Sequence, residues 1–178
     1  MRVIGFAGWS GAGKTHRLQS LLPHLIGRGL SVSTLKHAHH NFDIDHEGKD
    51  SYVHRQAGAH EVLIASSQRL ALMRELRSSP EPGLDELLLM LAPVDLVLVE
   101  GFKGWTLPKI EIHRMVQNKP YLYPDDKDIK ALSSDEKPAG LSLPWHHYDD
   151  IEALAEAVML YSIARDDLLL DLKRRKSI

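Results

Sequence analysis

The sequence predicts an α/β fold in which a mainly parallel central sheet is flanked by helices. Two apolar runs, residues 3–7 and 94–99, have the composition of strands that are buried on both faces. Segments with helical spacing separate the strand-like runs, and such alternation is typical of parallel sheets. The 178 residues are enough for one domain with a full core, and no linker is visible, so we expect a single domain over residues 1–178.

The most specific feature lies between the first strand and the first helix. Residues 8–15 match the phosphate-binding loop pattern G-x-x-x-x-G-K-[ST] at every fixed position. An apolar strand before the loop and a helical pattern after it are the context that this chemistry needs. We therefore expect a P-loop NTPase-like fold. The residues predicted to bind the nucleotide are Gly8, Trp9, Ser10, Gly11, Ala12, Gly13, Lys14 and Thr15.

The motif gives its polar residues separate roles. Its glycines let backbone N–H groups turn toward a polyphosphate. Lys14 is expected to reach the β and γ phosphates, and Thr15 to offer its hydroxyl to Mg²⁺. Glu100 ends the second apolar run, where an acid can hold the ion or its water across from Thr15. The sequence thus predicts a magnesium site formed by Thr15 and Glu100.

Local patterns predict the elements that follow the loop. Leucines at helical spacing indicate a helix over residues 14–28, which ends at Gly29. A β-prone run predicts a strand over residues 31–36. Asp50 is expected to be the N-cap of a short helix over residues 51–57.

The middle of the chain carries a predicted β-hairpin insertion. Its two β-prone runs, residues 62–66 and 69–73, are separated by only two residues. A turn-rich linker then leads to a short helix over residues 84–91.

The last third is predicted to complete the sheet. Residues 108–114 alternate apolar and charged side chains, which predicts a half-exposed strand. This strand and the hairpin near Arg69 are the predicted edge strands through which two copies of the chain could pair. Residues 129–133 are expected to form the last core strand. The final helix is predicted to begin near Asp149 or Asp150, with one apolar face.

Bulk composition excludes several classes of protein. A net charge of −2 and a pI near 6.6 argue against a general nucleic-acid binder. The absence of cysteine excludes disulfides and thiolate metal sites. No run approaches the roughly 20 apolar residues of a membrane-spanning helix, and the N-terminus lacks the pattern of a signal peptide. We expect a cytoplasmic protein without a membrane or nucleic-acid partner.

A polar loop over residues 37–49 is rich in potential ligands. It follows the second strand, so it should lie near the nucleotide. Three imidazoles with Asp43 or Asp45 could bind zinc or nickel, although their spacing matches no closed metal site. We favour a nucleotide-facing loop with one or two working polar groups. The histidines of this loop are His37, His39, His40 and His46.

Several blocks of sequence, in order, resemble one known family. After the phosphate loop come Lys36-His37, residues 42–45, residues 48–59, residues 99–103 and residues 108–111. Together they resemble the molybdopterin-guanine dinucleotide biosynthesis protein B family over roughly the first two thirds of the chain. The phosphate loop is common to many NTPases, so the blocks within residues 50–59 and 100–103 are the specific part.

The resemblance implies a GTP-binding homodimer with weak intrinsic GTPase activity. It implies an adapter beside the guanylyltransferase that joins GMP to molybdopterin, either supplying GTP or handling the finished molybdopterin guanine dinucleotide. It also assigns residues. Phosphate and magnesium contacts carry over to Gly11, Gly13, Lys14 and Thr15, the metal-side acid to Glu100, and the switch-like loop to Asp43, Asp45, Lys49 and Asp50.

Fast hydrolysis of GTP would need three things from this site: stabilisation of charge on the γ phosphate, a residue that positions water, and an arginine finger. Lys14 and a magnesium ion on Thr15 and Glu100 would stabilise charge on the γ phosphate. Asp43, Asp45 and Asp50 are candidates to position the attacking water. The predicted catalytic set is Lys14, Thr15 and Asp50. No arginine finger can be assigned, so we expect slow turnover.

Recognition of guanine has no standard motif here. Asn118-Lys119 is followed by Pro120-Tyr121, so the Asn-Lys-x-Asp sequence is absent. Asp135 follows a predicted core strand, and its carboxylate could accept hydrogen bonds from guanine N1 and N2. Asp135 is therefore the predicted guanine-reading residue.

Two other functions stay open at the level of sequence. Residues 99–101 also resemble the metal-binding strand end of dethiobiotin synthetase, which would imply an ATP-dependent kinase or ligase for a small molecule. A nickel-delivery GTPase, like the hydrogenase and urease maturation factors, would require metal on His37, His39 or His40. A preference for ATP would favour the first function and stoichiometric metal the second.

Overall fold

The computed structural model describes residues 1–38, 42–101 and 104–176, with the side chains of 175 and 176 left aside. The strands are β1 (Arg2–Ala7), β2 (Val32–Lys36), β3 (Glu61–Ala65), β4 (Leu70–Arg74), β5 (Leu96–Glu100), β6 (Lys109–His113), β7 (Ile129–Ser134), β8 (Trp145–His147) and β9 (Ile163–Ala164). The helices are α1 (Lys14–Gly27), α2 (Asp50–Gln56), α3 (Leu84–Met90), α4 (Ile151–Tyr161) and α5 (Arg165–Lys176), with a short 3₁₀ helix at Met115–Gln117.

The chain folds into two compact units. One consists of Met1–His37 with Leu84–Ile178, and the other of Ala38–Gly83. The expectation of one domain over residues 1–178 stays a prediction. None of the helices in the described part of the chain has both the length and the apolar composition needed to cross a membrane.

The larger unit is built on a sheet with the strand order β2-β5-β1-β6-β7-β8. Every neighbouring pair in this order is parallel, and only β9, which pairs with β1, is antiparallel. The parallel order confirms the predicted α/β fold. It also places the carboxyl ends of β5, β1 and β6 side by side, where open parallel sheets bind ligands.

Helices cover both faces of this sheet. Ile4 and Phe6 of β1 pack against α1 and α4 in one apolar cluster. Val3 lies in a second cluster, together with residues of α3 and α5. Side chains of a strand alternate between its two faces, so each face of β1 supplies one core. This explains why residues 3–7 are continuously apolar.

Strand β6 corrects the prediction of a half-exposed edge strand. It pairs with β1 on one side and β7 on the other, and all of its residues are buried. Its charged side chains are paired inside the protein. The ammonium of Lys109 lies 2.7 Å from Asp126 Oδ2, and Glu111 accepts the N–H groups of Leu122 and Tyr123 at 2.8 Å each. Alternating charge here marks buried pairing, not exposure to solvent.

The C-terminal third contains three elements that the sequence analysis missed: β8, the two-residue strand β9 and α5. The predicted last core strand is followed by β8, which pairs with β7. The helix predicted near Asp149 or Asp150 is α4, whose first turn is capped by Asp150 through a bond from the Ala153 N–H at 2.9 Å. It is not the final helix, because α5 follows and supplies Leu168 and Leu172 to the second core cluster.

The smaller unit contains α2 and the predicted hairpin. Strands β3 and β4 pair antiparallel from Glu61 opposite Arg74 to Ala65 opposite Leu70, which confirms the hairpin insertion. Helix α2 begins at Asp50 itself, with Lys49 in the N-cap position, so the prediction that Asp50 is the cap is wrong by one residue. An acid in the first turn is still favourable there, because it faces the positive end of the helix dipole.

Replacement of Glu111 tests the buried pairing on β6. In Glu111→Gln, an amide NH₂ would face one of the two N–H donors and leave it unpartnered, at a cost of about 1–3 kcal/mol. Burial raises the pKa of Glu111, while its two N–H bonds lower it. Urea unfolding at neutral pH measures the loss of stability. The exposed control Glu136→Gln should stay within about 0.5 kcal/mol of the native protein; equal losses in both variants would contradict the pairing.

Candidate functional site

Left-handed glycines shape the loop that joins β1 to α1. Gly11 has φ +79 and Gly13 has φ +86. Neighbouring side chains also leave no room for a Cβ atom. A methyl group on Gly11 would lie 2.4 Å from Gln117 Nε2, and one on Gly13 would lie 2.1 Å from the Tyr148 hydroxyl. The backbone conformation therefore favours glycine at both positions, and packing against the buried Tyr148 adds a second requirement at Gly13.

The Lys14 ammonium group lies over the loop. It donates hydrogen bonds to the carbonyl oxygens of Gly8 and Trp9, at 2.9 Å each. These bonds hold the positive charge beside the backbone of the phosphate-binding motif. The N-terminus of α1 adds the positive end of its dipole to the same place. The arrangement is suited to an anion with several oxygens.

Thr15 and Glu100, the two predicted magnesium ligands, are in contact. The Thr15 hydroxyl donates to Glu100 Oε1 at 2.9 Å, and the Lys36 ammonium lies 3.7 Å from the same oxygen. The Glu100 side chain is only 12% exposed. A hydroxyl and a carboxylate are the hard oxygen ligands that Mg²⁺ prefers, so the donor set fits this ion. Strand pairing brings Lys36 and Glu100 together, because they are opposite each other in β2 and β5.

Asp135 is half-buried where the chain leaves β7. Its Oδ1 atom lies 2.7 Å from Arg114 Nε, and its Oδ2 atom accepts the Met115 N–H at 3.1 Å. The carboxylate therefore braces the turn that follows β6. The contact with Tyr148 and that with Asp135 both raise the pKa of Arg114. A role for Asp135 in reading guanine stays a prediction.

The predicted switch-like acids lie in the smaller unit. Asp50 is exposed in the first turn of α2. Asp43 and Asp45 bind the Arg55 guanidinium at 3.0 and 2.8 Å, and Glu75 binds it at 3.2 Å. The pKa of Arg55 is raised, chiefly by its hydrogen bond to Asp45. Asp43 and Asp45 thus anchor an arginine, while the role of Asp50 stays a prediction.

The histidine-rich segment is only partly described. His39 and His40 lie outside the described residues, as do Phe102 and Lys103. His46 is exposed. Across residues 1–38, 42–101 and 104–176, no group of three or more His, Asp and Glu side chains could hold a metal ion.

The structure adds residues around the loop that the sequence analysis missed. Tyr148 is 3% exposed, and its hydroxyl lies 3.4 Å from the Gly13 carbonyl oxygen. Gln117 Nε2 donates to the Ser10 carbonyl at 3.0 Å, and the Trp9 indole donates to the Pro120 carbonyl at 2.7 Å. These contacts span more than 100 residues of sequence, so no local spacing could have revealed them.

The fold and the loop define the class of protein. A strand, a glycine-rich loop and a helix in sequence, with Glu100 on the neighbouring parallel strand, make this a P-loop NTPase-like protein. The family follows from comparison with known proteins. The family model for molybdopterin guanine dinucleotide synthesis protein B, MobB, matches residues 3–135. The chain therefore belongs to the MobB family.

Curated relatives agree with this assignment. The molybdopterin-guanine dinucleotide biosynthesis adapter protein of Escherichia coli (strain K12) is 39% identical over 160 residues, which cover 88% of this chain and 91% of the relative. The protein of the same name from Haemophilus influenzae is 46% identical over 121 residues, 66% of each chain.

Solved structures agree as well. A crystal structure of molybdopterin-guanine biosynthesis protein B (mobB) matches with a TM-score of 0.70 at 28% identity, covering 89% of this chain and 98% of that one. The MobB of Bacillus subtilis matches in fold, with a TM-score of 0.68 at 24% identity over 92% of this chain and 99% of that one.

A pair of glycine substitutions tests the geometry of the loop. Gly13→Ala should destabilise the protein by about 1–3 kcal/mol, because alanine is strained in the left-handed region and its methyl group meets Tyr148. The control is Gly27→Ala at the end of α1, where no atom lies within 4 Å of a new Cβ. That change should stabilise the helix by up to about 1 kcal/mol. Thermal unfolding measures both, and a stabilised Gly13→Ala would contradict the geometry.

Proposed function

We propose that this protein is a GTP-binding adapter with slow, magnesium-dependent GTPase activity, which assists the guanylyltransferase of molybdenum cofactor biosynthesis. Its curated relatives are named molybdopterin-guanine dinucleotide biosynthesis adapter proteins, which supports a role in that pathway. The observation that carries the nucleotide proposal is the site itself. Lys14 lies over the glycine loop, and the Thr15–Glu100 pair lies at the start of the following helix.

The polar groups of the site divide the work of holding a triphosphate. Backbone N–H groups of the loop and the Lys14 ammonium would bind the β and γ phosphates, with charge-assisted bonds of about 1.5–3 kcal/mol each. Several such bonds are enough for micromolar affinity, about 8 kcal/mol. Thr15 and Glu100 would hold Mg²⁺, which neutralises charge on the phosphates when bound. Asp135 would accept from the guanine ring.

We expect slow hydrolysis because the two arginines beside the loop are held by other contacts. Arg17 and Arg114 both pack over the Tyr148 ring, and Arg17 also donates to the Tyr148 carbonyl. Both are held by these contacts, and neither is assigned to the γ phosphate. An arginine finger is worth about 10³–10⁵ in rate, so its absence would leave turnover slow. A protein of this kind would act mainly by carrying or presenting GTP, or the finished cofactor, to its partner enzyme.

Nucleotide binding tests the proposal directly. Equilibrium titration of the native protein should show GTP binding at least about tenfold tighter than ATP, a difference of about 1.4 kcal/mol. Lys14→Ala should abolish the binding, and removal of magnesium by a chelator should weaken it. Lys127→Ala, an exposed lysine on the β6–β7 connection, is the matched control and should bind GTP normally.

Equal or tighter binding of ATP would contradict the guanine assignment and would favour an ATP-dependent kinase or ligase. Native GTP affinity in Lys14→Ala would contradict the phosphate site itself. Stoichiometric nickel binding that depends on His37, His39 or His40 would instead favour a metal-delivery GTPase.

We also propose that the protein is a homodimer joined through the hairpin. Leu63 and Leu72 are opposite each other in β3 and β4, and they are 61% and 49% exposed. Leu70 on the same face is 67% exposed. The Glu61–Arg74 ion pair borders these leucines. A contiguous apolar sheet face with a charged border is suited to self-association, and a second copy supplies the same face.

A charge placed on this face should dissociate the dimer. Leu63→Asp would bury an unpaired carboxylate in the interface, so sedimentation equilibrium should shift from dimer toward monomer. Ser67→Asp, exposed in the hairpin turn, is the control and should remain dimeric. A dimeric Leu63→Asp, or a monomeric native protein, would contradict the proposal.

A further inference from the structure

We propose that Tyr148 is a positioning residue that couples recognition of the nucleotide base at Asp135 to binding of the phosphates in the loop. The inference rests on the proposed nucleotide-binding function. It adds a residue that the phosphate-loop motif does not contain, and it predicts that base and phosphates bind non-additively.

The main chain of Tyr148 is fixed at both ends. Its N–H donates to the Ser134 carbonyl at 2.9 Å, which extends the pairing of β7 and β8. Its own carbonyl accepts from the guanidinium of Arg17 in the first turn of α1. Ser134 immediately precedes Asp135. Tyr148 is therefore tied both to the strand end that carries Asp135 and to the helix that opens the phosphate site.

The side chain of Tyr148 packs directly on the loop. Its hydroxyl lies 3.4 Å from the Gly13 carbonyl, which also accepts the Arg17 N–H at 2.9 Å. The first distance is long for a hydrogen bond between two oxygens, so this bond is weak. Even so, Tyr148 leaves no space for any side chain on Gly13, because a Cβ atom there would lie 2.1 Å from the hydroxyl oxygen and 3.0 Å from the ring carbon Cζ. It thereby sets the position of the residue before Lys14.

Arg114 connects this ring to Asp135. Its guanidinium carbon lies 4.4 Å from the Tyr148 ring centroid, and its Nε lies 2.7 Å from Asp135 Oδ1. A base that hydrogen-bonds to Asp135 must share the carboxylate oxygens that hold Arg114 and the Met115 N–H. Any resulting shift of Arg114 reaches Tyr148 and then Gly13 through packed contacts. The two ends of the nucleotide site are thus joined by one continuous chain of side chains.

Two ligands allow the base end and the phosphate end of the site to be tested independently. GTP engages the base and phosphate positions, whereas inorganic triphosphate engages the phosphate position alone. Tyr148→Leu should weaken both ligands, GTP by about tenfold, because the ring no longer supports Gly13. Tyr148→Phe keeps the ring and should change affinity by no more than about threefold. Asp135→Asn should weaken GTP by a larger factor than it weakens triphosphate, because only GTP also loses the contact to the base.

The double variant measures the coupling. Tyr148→Leu should raise the Kd for GTP in both backgrounds. The factor should be at least about twofold smaller in the Asp135→Asn protein than in the native protein, as expected for residues in one network. When the same cycle is repeated in an Arg114→Leu protein, whose replaced side chain is 38% exposed, this difference should disappear. A purely structural role for Tyr148 would lower stability without producing such coupling.

The control is Tyr161→Leu, because Tyr161 is a half-buried aromatic residue that packs on the same core. It should bind GTP normally. Failure of the native protein to bind GTP would overturn the proposed function. Native GTP binding combined with additive effects of Tyr148→Leu and Asp135→Asn would overturn this inference alone. If Tyr148→Leu does not fold, Arg114→Leu decides: it should weaken triphosphate as well as GTP, and an unchanged triphosphate affinity overturns the inference.

Discussion

The parallel pairing of β1 with β5 is the constraint on which the site depends. It places the end of β5 beside the loop that leaves β1, so Glu100 lies within 2.9 Å of the Thr15 hydroxyl although 85 residues separate them. Both strands must be buried on both faces to hold this geometry, and their apolar sequences allow it. A phosphate loop without that neighbour would have its lysine but no carboxylate for magnesium.

A second set of contacts supports the loop from the side of β6 and β7. Gln117 and Pro120 hold the loop from the turn after β6, and Tyr148 holds it from beyond β8. Buried charged side chains on this side are paired with their surroundings. Glu111 binds two N–H groups of the β6–β7 connection, and Lys109 pairs with Asp126. The loop is therefore held by two layers: the strands that carry the chemistry, and the connections that fix its shape.

Much of this fold could be predicted because its signals are local. The strand, loop and helix of residues 3–28 follow from composition and motif, and the hairpin follows from two β-prone runs around a two-residue turn. The pairing of Thr15 with Glu100 follows from the rule that ligands bind at the carboxyl ends of parallel strands.

The rest depends on long-range contacts that leave no pattern in a single sequence. The alternating charges of β6 resemble those of an exposed strand, because periodicity cannot distinguish solvent from a buried partner such as Asp126. β8 is only three residues long, so it was missed, and Tyr148 was missed with it.

The proposed function requires that the loop hold a guanine nucleotide, with magnesium at the Thr15–Glu100 pair. The most direct test is a crystal structure of the protein with magnesium and a non-hydrolysable GTP analogue. We predict that the β and γ phosphates lie in the loop against Lys14, that the ion is bound by the Thr15 oxygen on the Glu100 side, and that the base contacts Asp135. Phosphates bound elsewhere, or a magnesium ion without Thr15, would contradict the account.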